Sequence, residues 1–219
     1  MRKRSHQVTL TCLPAEVTAF WSNDLPQPWD SRALFGRQAP LELEIGSGRG
    51  LFITQAATAM PERDFLGIEI SQKYAKLCAV LIAKKQLTNA VMVCGDAQAV
   101  LRDNIPNNLL AAVHIYFPDP WWKRKHRKRR IVCEPVVRLV HQKLIPGGKL
   151  HFWTDVEEYF QAGLQSIAQV PGFDGPFEVD EHAAEHDFDY RTHFERRTRL
   201  HGEPVYRSLF CKSETRVAK

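Results

Sequence analysis

No CxxC pair occurs anywhere in the 219 residues, and the five cysteines (Cys12, Cys78, Cys94, Cys133, Cys211) are odd in number and scattered. That pattern excludes a zinc ribbon and a disulfide framework. Long apolar runs are missing too. The longest, Leu77 to Ala83, is far short of a membrane span. Internal repeats and low-complexity tracts are absent. The N-terminus opens basic, Met1-Arg2-Lys3-Arg4, but Val8 to Ala15 is interrupted by Thr, Cys and Pro. It is too polar for the core of a signal peptide, so a cytoplasmic protein without a membrane is expected. Glycine (12) and proline (13) are too sparse for a collagen or a disordered tail, and 44% hydrophobic residues suffice for one globular domain.

What is present is unevenly placed charge. The formal net charge is +5, yet Lys123-Arg124-Lys125-His126-Arg127-Lys128-Arg129-Arg130 alone carries +7, leaving the other residues at −2. A mildly acidic chain with one dense cationic octet is built to hold something anionic at one place, and a polynucleotide matches adjacent cations with adjacent phosphates. A basic run can also be a solvated tail or a localisation signal. Apolar residues on both sides, ending in Ile131-Val132 and Val136-Val137, place this octet inside the fold, on a loop entering a helix.

The first forty residues are irregular, with Pro14, Pro26, Pro28 and Pro40 and a short helical segment around Ala15 to Trp21. From Leu41 the pattern becomes alternating strands and helices. Strands are predicted at Leu41 to Ile45, Phe65 to Ile70, Val91 to Val93, Ala111 to Phe117 and Lys149 to Thr154. Helices are predicted after the glycine-rich turn to about Met60, from Ser71 through Tyr74, Leu77, Cys78, Leu81 and Ile82, after Asp96, at Val132 to Leu144 and at Glu157 to Ala168. Phe177 to Val179 and Val205 to Cys211 read as two further strands, antiparallel to each other. Alternation of this kind implies an α/β fold, a parallel sheet with helices on both faces.

Ligands of such sheets bind beyond the carboxyl ends of the strands. Four successive strands each deliver a carboxylate there: Glu44, Glu69, Asp96 and Asp119. The glycines read Gly46-Ser47-Gly48-Arg49-Gly50, a GxGxG rather than the dinucleotide GxGxxG, with Glu44 just before them. A carboxylate at that point repels a diphosphate. It suits a cofactor with a positive end, S-adenosylmethionine, whose ammonium and sulfonium are both cationic. Gly46 and Gly48 permit close backbone approach. Glu69, 23 residues beyond Gly46, has the spacing of an acid that bonds ribose hydroxyls, and Asp96 is placed to meet the adenine edge.

Asp119 and the octet adjoin in Ile115-Tyr116-Phe117-Pro118-Asp119-Pro120-Trp121-Trp122-Lys123 followed by Arg124 to Arg130. This stretch resembles the signature of bacterial tRNA (guanine-N7-)-methyltransferases, the TrmB family. The resemblance spans about Phe35 to Phe210. It includes Leu43-Glu44-Ile45-Gly46, Leu66-Gly67-Ile68-Glu69, Gly95-Asp96-Ala97, Phe152-Trp153-Thr154-Asp155 and Thr192-His193-Phe194-Glu195-Arg196. It implies a Rossmann-like class I S-adenosylmethionine-dependent methyltransferase fold, with a mostly parallel seven-stranded sheet. It implies a lead-in over 1–34 and a methyltransferase domain over 35–219. It also implies that Glu44, Gly46, Gly48, Glu69, Asp96 and Asp119 contact the methyl donor, with Asp119 catalytic. By the same resemblance, Lys123, Asp155, Thr192, His193, Phe194 and Glu195 would contact the substrate, and Lys125, His126, Arg127, Lys128, Arg129 and Arg130 the RNA. The implied partner is tRNA, bound by a monomer or a homodimer. Trp122 and His193 depart from the family pattern, the latter standing where a lysine is usual.

The chemistry is consistent with these residue types. Guanine nitrogen 7 has an in-plane lone pair and no proton, so placement dominates and no strong base is required. A carboxylate near the methylated, cationic ring stabilises it. Prolines on both sides of Asp119 hold it in place, although Pro-Asp-Pro also reads as a stiff turn. Glu195 could accept from nitrogen 1 and the exocyclic amine of guanine, a pair of donors adenine lacks. Trp121 and Trp122 suit base stacking or core packing. His182-Ala183-Ala184-Glu185-His186 matches the inverted zinc-protease motif, but its polar surroundings favour a surface helix, and no metal is expected. Two other readings stay open: the same fold acting on another RNA guanine, and a catalytically silent RNA-binding paralogue.

Overall fold

The computed structural model describes residues 19–179 and 190–214. The chain runs β1 (Ala19–Trp21), α1 (Ser31–Phe35), β2 (Leu41–Ile45), α2 (Leu51–Ala59), β3 (Asp64–Glu69), α3 (Gln72–Lys84), β4 (Ala90–Cys94), α4 (Ala97–Asp103) and β5 (Leu110–Tyr116). It continues with a 3-10 turn (Arg124–Arg129), α5 (Glu134–Lys143), β6 (Leu144–Thr154), α6 (Glu157–Ala168), β7 (Phe173–Phe177), α7 (His193–Leu200) and β8 (Tyr206–Lys212). The sheet order is β1-β4-β3-β2-β5-β6-β8-β7. Strands β1 to β6 pair in parallel, and β8 runs antiparallel to both β6 and β7.

Strands β2, β3 and β4 are buried at every position, as a parallel sheet covered on both faces requires. Leu41, Leu43 and Ile45 enter the larger core, with Val113, Leu150, Val137 and Tyr159. Because side chains alternate along a strand, Glu42 and Glu44 lie on the opposite face, the side on which Phe52, Ile53 and Ala56 of α2 pack.

Three expectations change. The sheet has eight strands, not seven: Ala19–Trp21, expected at the end of a helix, pairs in parallel with Met92, Val93 and Cys94. A sheet edge offers unpaired backbone groups, and three residues of any moderate propensity can occupy it. The rest of that predicted helix, 15–18, lies outside the described residues, as do Cys12 and the His182–His186 motif. On α3 the buried face is Ala75, Cys78, Ala79 and Ile82, whereas Tyr74 and Leu77 are exposed. The strand expected to start at Lys149 begins at Leu144 and crosses Pro146-Gly147-Gly148, with a register break opposite Leu110/Ala112.

Candidate active site

Parallel pairing of β4, β3, β2 and β5 puts the carboxyl ends of these strands side by side. Glu44, Glu69, Asp96 and Asp119 therefore share one edge, and Asp155, after β6, extends it. Their environments differ sharply.

Glu44 stands opposite Gly67 on one side and His114 on the other. It is buried, and its Oε2 has no hydrogen-bond partner among the described residues. Burial pushes its carboxyl up to about 7; the Ser47 hydroxyl opposes this and the neighbouring Glu69 charge adds to it. Directly after it the chain turns through Gly46 (φ +82°), Gly48 (φ +52°) and Gly50 (φ +81°), all left-handed. A Cβ on Gly50 would collide with Cys78 Sγ, so the turn also lets α3 close on it. The N–H groups of Gly46 and Ser47 both donate to Ile68 O.

Glu69 staples this turn. Gly48 N–H donates to its Oε2 (2.9 Å) and Ser71 N–H to its Oε1 (2.7 Å). Ionised carboxylates offer about four lone-pair sites, so capacity remains for a hydroxyl. Asp96 is exposed and caps α4, its Oδ1 accepting from Gln98 N–H at 2.9 Å. Asp119 is exposed between its prolines. The residues bracketing that segment, Phe117 (φ +48°) and Trp121 (φ +46°), hold a left-handed backbone that bulky side chains rarely adopt. An unpartnered buried carboxylate oxygen beside a tight glycine turn fits a ligand with N–H donors and positive charge, and disfavours a diphosphate.

The Thr192–Glu195 block lies at the start of α7. Thr192 caps the helix, its Oγ1 accepting from Glu195 N–H at 3.0 Å. His193 and Phe194 are exposed. Partial burial, with the Arg49 and Arg196 charges, holds His193 below the usual histidine range, which favours its neutral form. The proximity of Arg49, in the glycine turn, brings this block to the carboxylate edge.

Glu195 itself is 2% exposed. Its Oε2 accepts from Arg191 N–H (2.7 Å) and its Oε1 faces Arg199 (3.5 Å) and Arg207 (3.3 Å). These bonds are those of a residue that holds α7 in place. Reading a guanine edge, as expected of it, would require it to exchange them.

The octet divides likewise. Lys123, Arg124, Lys125, Arg127, Lys128 and Arg129 are exposed, and His126 is half-buried. Arg130 points inward. Its Nε donates to Pro120 O (2.8 Å), its guanidinium meets Glu158 Oε1 (3.2 Å) and lies 4.7 Å over the Tyr159 ring. Although it shares the octet's charge, Arg130 anchors the loop rather than extending from it. Arg127 also pairs with Glu158, at half-exposed positions (3.1 Å). Arg129 covers Trp121 (4.9 Å). Trp122, which suited either core or surface by type, is 62% exposed.

Sequence reasoning missed a buried polar chain beneath this edge. Arg63 donates to Glu42 Oε1, His114 Nε2 lies 2.8 Å from Glu42 Oε2, His114 Nδ1 lies 2.9 Å from the Tyr116 hydroxyl, and Arg191 reaches that hydroxyl at 3.5 Å. Burial pushes the Glu42 carboxyl up, but the bonds to His114 and Arg63 outweigh it and hold it below the ordinary range. Burial keeps His114 neutral. With Glu42 ionised, His114 therefore donates from Nε2 and accepts the Tyr116 proton at Nδ1. The visible signal was a histidine and two glutamates inside strands otherwise apolar throughout.

A family model described as a methyltransferase matches residues 38–208. The tRNA (guanine-N(7)-)-methyltransferase of Rhodopirellula baltica is 44% identical over 195 residues, covering 86% of this chain and 72% of that protein. The chain belongs to this methyltransferase family. A relative of the same name from Aeromonas hydrophila is 37% identical, with 84% of this chain and 78% of that protein covered. Among solved structures, the aminoglycoside resistance methyltransferase NpmB1 matches with a TM-score of 0.56 at 18% identity, over 83% of this chain and 91% of that one. An SAM-dependent O-methyltransferase from Thermotoga maritima matches at 0.53 and 15% identity, over 84% and 63%. These two likenesses show the fold, a Rossmann-like methyltransferase sheet with one extra edge strand.

Proposed function

We propose that this chain transfers the methyl group of S-adenosylmethionine to nitrogen 7 of a guanine in the variable loop of tRNA, giving 7-methylguanosine. The observation that carries this reading is the adjacency, in a chain of this family, of a rim of strand-end carboxylates to an exposed cationic turn, joined by Phe117-Pro118-Asp119-Pro120.

When bound, S-adenosylmethionine supplies an electrophilic methyl group on a sulfonium. Glu44 would hold its cationic end, ionising as it does so. Gly46 and Gly48 would let the backbone approach, Glu69 would accept from hydroxyls while it fixes the glycine turn, and Asp96 would lie at the base edge. On the acceptor side, nitrogen 7 needs no proton removed, so Asp119 acts by its charge, stabilising the cationic methylated ring. Lys123, Asp155, Thr192, His193 and Phe194 would surround the base. Lys125, Lys128 and their exposed neighbours would take the phosphates, with Trp122 free to stack on a nucleotide. Arg130 and Glu195 support this surface from within.

Among the described residues no helix is long and apolar enough to cross a membrane. A cytoplasmic enzyme acting as a monomer or homodimer on tRNA completes the proposal. Incubation with unmodified tRNA and labelled methyl donor, followed by mapping of the modified base, tests it. Label at nitrogen 7 of a variable-loop guanine is expected; label elsewhere, or none, overturns it.

A further inference from the structure

Two aromatic side chains meet at the rim: Phe117 packs partly against the smaller core, whereas Phe194 projects from α7 with no core to cover it. Phe117 follows β5 and is bonded through its N–H to Trp153 O (2.8 Å), with the left-handed backbone noted above. Strain of this kind, at a bulky residue two positions before Asp119, is held in place by the surrounding structure and marks a functional constraint. Phe194, on the first turn of α7, is 51% exposed. The two rings are nearly parallel, 18° apart, with centroids separated by 6.5 Å. That is the loose end of the range for aromatic neighbours, about 4.5–7 Å. A base between two rings needs about twice the ~3.4 Å step of a stacked strand, so these rings have to part slightly to admit one. Phe194 is further flanked by the Arg197 guanidinium, 4.8 Å from its centroid. This gives the ring a cationic partner of its own, at a position reached from the next turn of the same helix.

We propose that Phe117 and Phe194 form an aromatic clamp that receives the target guanine between them once it has left the stack of the tRNA, presenting it to Asp119. The proposal rests on the methyl-transfer reading above. A base taken out of its helix loses its stacking neighbours, and two protein rings at about the right spacing replace both of them. The clamp sets position, not base identity, because every base has an aromatic face. It also accounts for a half-exposed phenylalanine on an otherwise strongly charged helix, Arg196-Arg197 and Arg199 following it.

Steady-state kinetics and fluorescence together test the clamp. Phe194→Ala is expected to raise KM for tRNA, or lower kcat/KM, by roughly 10- to 100-fold, and Phe194→Trp to restore most of it. S-adenosylmethionine affinity should stay at the wild-type value in both. Phe117→Leu, which keeps an apolar side chain, should behave as Phe194→Ala does. In a tRNA carrying 2-aminopurine at the target position, stacked neighbours keep the free tRNA dim; binding is expected to raise the emission, and to raise it further in Phe194→Ala, where one of the two rings on the extruded base is gone. If the wild type methylates tRNA while Phe194→Ala keeps either kcat/KM or the bound emission within about twofold of it, the clamp is wrong and the parent reading stands. If the wild type transfers no methyl group at all, the parent reading fails and the clamp falls with it.

Discussion

Replacing Glu44 with glutamine isolates the most unusual group in the molecule. Burial raises this carboxyl from 4.5 to about 7. At ~1.4 kcal/mol per pH unit, the difference amounts to about 3 kcal/mol. Its sign follows from proton binding: between those values the folded chain keeps the proton and the unfolded chain releases it. Stability contributed by the neutral carboxyl is thus complete below about pH 4.5 and is lost as pH rises to about 7. The glutamine variant cannot titrate there. Urea denaturation of the ligand-free protein at pH 5 and pH 8 gives the assay. Wild type is expected to lose about 2.5 kcal/mol more than Glu44→Gln over that interval, other titrations cancelling in the comparison. A difference under about 1 kcal/mol would refute the argument, because it would mean that Glu44 ionises as an exposed carboxyl does. A second arm concerns the methyl donor. Calorimetry in buffers of different ionisation enthalpy should detect proton release on S-adenosylmethionine binding near pH 6 in wild type and none in the variant. Affinity should rise with pH towards neutrality in wild type alone.

The remaining expectations are simpler. Arg130→Met removes the bond to Pro120 O and leaves that loop unanchored, so urea denaturation should register a loss of about 2 kcal/mol; an unchanged midpoint would return Arg130 to the surface. Lys125→Gln with Lys128→Gln should lower the slope of log affinity against log salt by about one for each phosphate no longer neutralised, without altering methyl-donor binding. An unchanged slope would mean that these cations meet no phosphate. Asp119→Asn should slow single-turnover transfer by ~100-fold or more while tRNA affinity persists. A variant as fast as wild type would remove Asp119 from the chemistry.

The parallel core was legible because its strands are short segments rich in apolar residues, such as Val91 to Val93 and Ala111 through Tyr116, although Leu41-Glu42-Leu43-Glu44-Ile45 alternates with two buried glutamates. Alternation of those segments with helices was enough to put four acids on one edge. Less legible was everything that depends on partners distant in the chain. Nothing local distinguishes Arg130 from Arg129; Glu158 and Tyr159, about thirty residues later, turn the first inward. Glu195 likewise reads as an acceptor free to meet a guanine edge, and nothing local shows that Arg207, from β8, lies 3.3 Å from its carboxylate. The edge strand at Ala19–Trp21 follows from a vacant edge on β4, a tertiary circumstance no local propensity encodes. On α3, apolar spacing admitted two overlapping faces, and the small residues Ala75 and Ala79 won because they let the helix lie close to the sheet.

Anchoring of the cationic turn by Arg130 has a thermodynamic consequence. A chain segment crowded with like charges would ordinarily sample many shapes and be ordered only on meeting its target, which weakens capture. Here the root of the loop is immobilised as the polypeptide folds, by one guanidinium wedged between Pro120 and Glu158. Its outward-facing lysines and arginines then approach a polyanion as a preset array, and the entropy of arranging them is settled before the encounter begins.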